Sequence, residues 1–162
     1  MTTPHIQLIT PAATAELEAT EQIFREYAAG LDIDLCFQDF DAELADLPGD
    51  YAPPRGALLL AWVDNAVAGC CALRPLDASD YVNAAEMKRL YVRPAFRGLG
   101  LGRQLAETIL DTARLIGYGS VLLDTLDDME IARAMYADLG FRQIPPYYHN
   151  PLAGAHYLKV DL

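Results

Sequence analysis

The run Glu86-Met87-Lys88-Arg89-Leu90-Tyr91-Val92-Arg93-Pro94-Ala95-Phe96-Arg97-Gly98-Leu99-Gly100-Leu101-Gly102-Arg103-Gln104-Leu105-Ala106-Glu107-Thr108-Ile109-Leu110 reads as a strand, a turn, a glycine-rich loop and the start of a helix. Pro94 has no N–H to give to a strand ladder and pushes Arg93 out of helical conformation, so the strand ends near Val92. Gly98, Gly100 and Gly102, at alternate positions, let the backbone turn tightly and bring its amides against something bulky. The helix that follows starts with unsatisfied amides and the positive end of its dipole facing the loop. Arg97 and Arg103 flank the glycines, and the whole setting suits a phosphate or pyrophosphate.

Spacing speaks against two common phosphate loops. A Walker A loop needs Gly-x-x-x-x-Gly-Lys-Ser/Thr, and no such run is present. A dinucleotide fingerprint needs Gly-x-Gly-x-x-Gly; its third glycine falls on Leu105 counted from Gly100, and on Arg103 counted from Gly98. Asp124 does stand at the end of the next strand, where a ribose-binding acid is expected, but too little chain follows for the second half of a doubly wound fold.

Arg97-x-x-Gly100-x-Gly102 instead resembles the pyrophosphate loop of the GNAT superfamily of N-acetyltransferases, which bind acetyl-coenzyme A. Leu90-Tyr91-Val92-Arg93-Pro94 resembles the family's strand before that loop, Glu86 stands where many members carry a carboxylate, and Tyr136-Ala137-Asp138-Leu139-Gly140-Phe141 resembles its Tyr-x-x-x-Gly-Phe run. The likeness covers the chain from about Ala57 to Leu162, with the motifs in order. It implies acetyl-CoA as co-substrate, and a gap between the fourth and fifth strands where the pantetheine lies.

The chain has 162 residues, of which 52% are hydrophobic, enough for a single domain over residues 1–162 with a real core. No apolar run approaches the roughly 20 residues that span a bilayer. Met1-Thr2-Thr3-Pro4-His5 has none of the basic and apolar regions of a signal peptide. Cys36, Cys70 and Cys71 make no disulfide framework, which fits a cytoplasmic protein; adjacent Cys70 and Cys71 are expected to point to opposite faces of a strand. A net charge of −11 argues against nucleic acid as a partner; its plainer reading is solubility, and the other reading is steering of a cationic substrate. A homodimer is compatible with all of this.

Along the chain, Ile6–Ile9 reads as a strand, and Thr10-Pro11 as the cap and first turn of a helix that Gly30 ends. A second helix is expected from Phe37 to Leu47. Ala57–Val63 and Ala66–Leu73 form a hairpin about Asp64-Asn65. After the central stretch come a helix over Gln104–Ile116, a strand over Ser120–Thr125, a helix from Asp127-Asp128 to Leu139, and strands over Phe141–Ile144 and His156–Leu162. The order β-α-α-β-β-β-α-β-α-β-β is that of an α+β protein with a mixed, mostly antiparallel central sheet flanked by helices; it is also the order of the GNAT fold.

Acetyl transfer from a thioester to an amine makes three demands. The cofactor must be held, the ammonium must lose a proton, and the leaving thiolate must be stabilised. Backbone amides of Arg97, Gly98, Leu99, Gly100, Leu101, Gly102 and Arg103 are candidates for holding the pyrophosphate; the other reading is that the glycines merely close a turn. By the resemblance, the backbone of Leu90, Tyr91 and Val92 holds the pantetheine. A primary amine with a pKa near about 10.4 is mostly charged at neutrality, so a base is needed. Glu86 is the candidate, directly or through water; alternate strand positions place it on the face of Leu90 and Val92, and the other reading is a surface carboxylate paired with Lys88 or Arg103. Tyr136 matches the family's general-acid tyrosine, or else packs its helix on the sheet. Tyr147, Tyr148, His149 and Asn150 either shape an amine pocket or form a packed loop, with Phe37, Phe40 and Tyr51 as the opposite wall. His149 and His156 lack further ligands at zinc spacing, so no metal is expected. The acceptor read from this pattern is a small primary amine; a protein lysine or N-terminus, and acyl-CoA binding without turnover, are the alternatives.

Overall fold

The computed structural model describes residues 3–31, 39–126, 129–148, 150 and 154–162. The elements follow the expected order: β1 (Ile6–Ile9), α1 (Thr14–Gly30), α2 (Phe40–Ala45), β2 (Ala57–Val63), β3 (Ala66–Pro75), β4 (Ala84–Val92), α3 (Leu101–Ile116), β5 (Ser120–Leu126), α4 (Glu130–Asp138), β6 (Arg142–Ile144) and β7 (Ala155–Asp161). One seven-stranded sheet runs β1-β2-β3-β4-β5-β7-β6. Its pairs are antiparallel except β4–β5. Among the described residues, no helix is long and apolar enough to cross a membrane.

Local chemistry accounts for most boundaries. The β2–β3 hairpin turns on Asp64 and Asn65, both at positive φ, as a tight two-residue turn requires. On α3, Leu101, Leu105, Ala106, Ile109, Leu110 and Ala113 form one buried stripe. Each large aliphatic side chain buried there contributes about 1.5–3 kcal/mol. Gly117, at φ 108°, ends the helix in a left-handed cap.

All four helix starts differ from expectation, α3 beginning at Leu101, three residues before Gln104. Helix α1 begins at Thr14 rather than at Thr10-Pro11, because Glu16 Oε1 accepts the amides of Ala12 and Ala13, both at 3.0 Å, and so caps the helix from its first turn. Those bonds hold the Glu16 carboxyl below its usual range. Helix α2 starts at Phe40, and the Phe37 start lies outside the described residues. Helix α4 starts at Glu130, and the expected caps Asp127 and Asp128 also lie outside them.

The sheet is covered on both faces. On one, Leu59, Ala61, Cys71, Leu73, Ala85, Met87 and Val121 pack with α3 and with Tyr136 of α4. On the other, Leu58, Leu60, Cys70 and Ala72 pack against Ile23 and Phe24 of α1 and Phe40 and Leu44 of α2. Cys70 and Cys71 do point to opposite faces, and burial pushes both thiols up.

Strand β4 carries a bulge. Lys88 pairs with Ala72 and Tyr91 with Cys70, so three steps on β4 span two on β3. Arg89 sits at the irregularity with φ 62°, a left-handed conformation costing about 1–2 kcal/mol for a residue with a Cβ. Its guanidinium, 2% exposed, forks onto Glu43 of α2 with two bonds of 3.0 Å. The same group lies over the rings of Phe40 at 5.1 Å and Tyr27 at 5.8 Å. Arg93, at the end of β4, forks onto Glu26 of α1 with two bonds of 2.8 Å. These two arginines fix the course of β4 where it matters most.

Candidate active site

Strands β4 and β5 pair only at Ala84–Glu86 against Ser120–Leu122. From Met87 onward β4 has no β5 partner, because β5 continues along β7 to Leu126 while β4 continues along β3 to Val92. A gap therefore opens in the middle of the sheet, bordered by Leu90, Tyr91 and Val92 on one side and by the end of β5 on the other.

The glycine loop lies at one end of this gap, on the α3 face. Gly98 has φ 86° and Gly100 has φ 75°, both left-handed, and a Cβ built at either meets no atom within 4 Å. Their glycine character serves backbone conformation and leaves open space outside the loop. Gly100 is the N-cap of α3 and provides no side-chain cap, so Leu101, Gly102 and Arg103 offer their amides outward. Arg97 folds its Nε–H back onto the Val92 carbonyl at 3.1 Å and remains exposed. Arg103 instead pairs with Glu107 and Asp138, which ties the first turn of α3 to α4.

Tyr136 stands on that same face. It is 7% exposed, within the α3-side core, and its ring meets Phe141 edge-on at 5.5 Å. Its hydroxyl makes no hydrogen bond to any described residue. Burial pushes its pKa far above the ordinary tyrosine value, so the phenol keeps its proton.

Glu86 stands on the opposite face. The expectation that it shares a face with Leu90 and Val92 is overturned by the bulge: Leu90 and Val92 pack toward α3 with Ala85 and Met87, whereas Ala84 belongs to a cluster on the other side with Leu76 and Leu122. One extra residue at Arg89 reverses the alternation. Glu86 is 3% exposed, and Tyr147 donates its hydroxyl to Oε2 at 2.7 Å. Arg74 Nε lies 3.1 Å from Oε1, without the alignment of a hydrogen bond. The reading of Glu86 as a surface carboxylate is thus excluded, as is pairing with Arg103.

Asp124 of β5 lies on the Glu86 face, past the point where the strands part. Its Oδ2 accepts the Tyr148 hydroxyl at 2.7 Å and Asn150 Nδ2 at 3.3 Å. Tyr147, Tyr148 and Tyr157 pack ring to ring at 5.4–5.7 Å. Burial and the neighbouring carboxylates push the Tyr147 and Tyr148 hydroxyls up, so both act as donors. Lys88 extends from β4 on this face, and burial lowers its pKa.

Of the residues expected to bind the acceptor, Tyr147 and Tyr148 are brought to the gap, while Phe37 and His149 lie outside the described residues. Phe40 and Tyr51, expected on the opposite wall, belong to the core with α1 and α2, and Tyr51 also lines a pocket beside Arg74. Both are buried, Phe40 under Arg89 and Tyr51 with its hydroxyl on Glu43 at 2.8 Å. Asp124, Lys88 and Arg74 were not expected there. The signal for Asp124 is a lone charge in the apolar run Val121-Leu122-Leu123-Asp124-Thr125-Leu126, on the face of Leu122. Beyond Arg74 opens a pocket of about 260 Å³ lined by Asp39, Glu43, Asp46 and Asp50.

The model of the acetyltransferase (GNAT) family matches residues 17–141. An N-acetyltransferase of Schizosaccharomyces pombe is 38% identical over 148 residues, covering 91% of this chain and 89% of that protein. The N-acetylaspartate synthetase of Rattus norvegicus is 33% identical over 113 residues, covering 69% of this chain but only 37% of that protein. Among solved structures, an acetyltransferase of Streptococcus agalactiae superposes with a TM-score of 0.78 at 23% identity, covering 97% of this chain and 98% of that one.

Proposed function

We propose, from the premise that this chain belongs to the acetyltransferase (GNAT) family and is an acetyl-CoA-dependent N-acetyltransferase, that its acceptor is the primary amine of a small molecule. The observation that carries the reading is the gap itself. On one face of the sheet stand the open amides of the glycine loop and a protonated, unengaged tyrosine; on the other stand two carboxylates roofed by tyrosines. Donor and acceptor therefore approach from opposite faces and meet between β4 and β5.

In this reading the amides from Arg97 to Arg103 bind the pyrophosphate, and the free edge of Leu90, Tyr91 and Val92 binds the pantetheine. The neutral amine nitrogen attacks the thioester carbonyl carbon, the carbon–sulfur bond breaks, the thiolate takes the Tyr136 proton, and the second proton lost by the nitrogen passes through solvent to restore the Tyr136 phenol. Glu86 takes the proton of the ammonium. Because Glu86 lies beneath the Tyr147 hydroxyl, that hydroxyl is the path: it passes its proton to Glu86 as it receives one from the amine. The carboxylates of the neighbouring pocket favour a cationic acceptor by steering. The rat relative, whose name gives an acetylated amino acid as its product, supports an acceptor of small size.

The test is release of free thiol from acetyl-CoA in the presence of tyramine, benzylamine, 1,4-diaminobutane, L-serine and L-aspartate, beside lysine-containing peptides. Turnover of one or more small amines, with peptides inert, is the expected result. Acetylation of peptides alone would refute the small-molecule reading and leave the family assignment intact.

A further inference from the structure

We propose that Asp124 is the carboxylate that receives the ammonium of the acceptor, and so determines selection for a charged amine. This rests on the small-amine reading above. Two carboxylates face the gap from the acceptor side, and they differ in what they can offer. Glu86 is 3% exposed, with Oε2 capped by Tyr147 and Oε1 beside Arg74. An ammonium cannot reach it without displacing Tyr147.

Asp124 is half-buried. Both hydrogen bonds it accepts fall on Oδ2, from Tyr148 and Asn150, and Oδ1 accepts none from any described residue. The hydrogen bonds thus hold the carboxylate from one side and leave Oδ1 without a donor from the described residues, with the charge of Lys88 on the same face acting on Asp124 as well, an arrangement that fixes the direction of an incoming N⁺–H. Its position adds to this. Asp124 lies two residues beyond Leu122, the last β5 residue paired with β4, on the face of Glu86 and Tyr147. An ammonium on Oδ1 sits at the mouth of the gap, beside the Tyr147 hydroxyl that leads to Glu86. Asp124 then supplies attraction and orientation, and Glu86 takes the proton.

Asp124→Asn tests this directly. It keeps the shape and an oxygen for Tyr148 while removing the charge, and Tyr148→Phe does the reverse. Both variants are assayed with the amine panel above, by steady-state turnover and by calorimetric binding of each amine to the CoA-loaded protein. The expected result is a rise of about tenfold or more in amine KM and Kd for Asp124→Asn. Its kcat falls less than its amine KM rises and its acetyl-CoA KM stays within about twofold, while Tyr148→Phe, which loosens the carboxylate but keeps its charge, raises the amine KM and Kd clearly less than Asp124→Asn does. Asp124→Glu, which keeps the charge, recovers part of the loss. Wild-type amine binding in Asp124→Asn, or equal losses in Asp124→Asn and Tyr148→Phe, would overturn the assignment, since the carboxylate would then only anchor the tyrosine. If no small amine is bound or acetylated by the wild-type enzyme, the small-amine reading falls and Asp124's role falls with it.

Discussion

Replacing Tyr136 by Phe removes one oxygen atom from a buried site and separates packing from chemistry. The ring is 7% exposed and meets Phe141 edge-on at 5.5 Å, and both features survive the change. The hydroxyl has no hydrogen-bond partner among the described residues, so its loss leaves no donor or acceptor stranded. Stability should therefore stay within about 0.5 kcal/mol of wild type, or rise slightly. Catalysis should not. A hydrogen bond to a developing thiolate is charge-assisted and contributes about 1.5–3 kcal/mol, or roughly 10- to 100-fold in rate. Because the bond exists only as sulfur gains charge, kcat should fall by that factor while the KM for acetyl-CoA barely moves. The assay is single-turnover acetyl transfer, where chemistry limits the rate, together with thermal melting. A second readout follows from the raised pKa. A phenol pushed above its ordinary value keeps its proton past pH 10, so the wild-type rate should rise with pH as the amine deprotonates and show no fall near 10 from loss of the acid. Wild-type kcat in Tyr136→Phe, or a marked drop in stability, would return Tyr136 to packing alone.

Glu86→Gln keeps an oxygen for Tyr147 and removes the base; kcat/KM for the amine should fall at least about tenfold near neutrality, with acetyl-CoA affinity by calorimetry nearly unchanged. Gly100→Val puts a β-branched residue at φ 75° facing open space; it should cost about 1–2 kcal/mol in chemical denaturation and, if the loop binds the pyrophosphate as proposed, raise the Kd for CoA about tenfold or more. Arg89→Met removes the guanidinium from the Glu43 carboxylate, which is 16% exposed on its side chain and keeps the Tyr51 hydroxyl as a donor, and should destabilise by about 3 kcal/mol; Glu43→Gln in the same chain should recover part of that loss in a double-mutant cycle.

Much of this molecule is legible along the chain because its causes are local. Glycines at 98, 100 and 102, Pro94, and the stripe from Leu101 to Ala113 act within a few residues of where they stand, and they suffice for a strand, a loop and a helix in order. The hairpin at Asp64-Asn65 and the opposed burial of Cys70 and Cys71 follow from the same short-range rules. The face on which Glu86 stands does not. It is set by one extra residue at Arg89, whose left-handed backbone carries no glycine or asparagine to announce it and is held by Glu43, 46 positions away. A period-two rule fails wherever a bulge intervenes, and it fails completely, since a shift of one residue exchanges the two faces. The carboxylate site is equally non-local. Tyr147 reaches Glu86 across 61 positions and Tyr148 reaches Asp124 across 24, so neither pair leaves a mark in the spacing of neighbouring residues. The residue types of the glycine loop and of the sheet were determined by sequence alone; which carboxylate lies buried and which is half-buried was decided by where β4 and β5 part, a property of two strands that meet only in the fold.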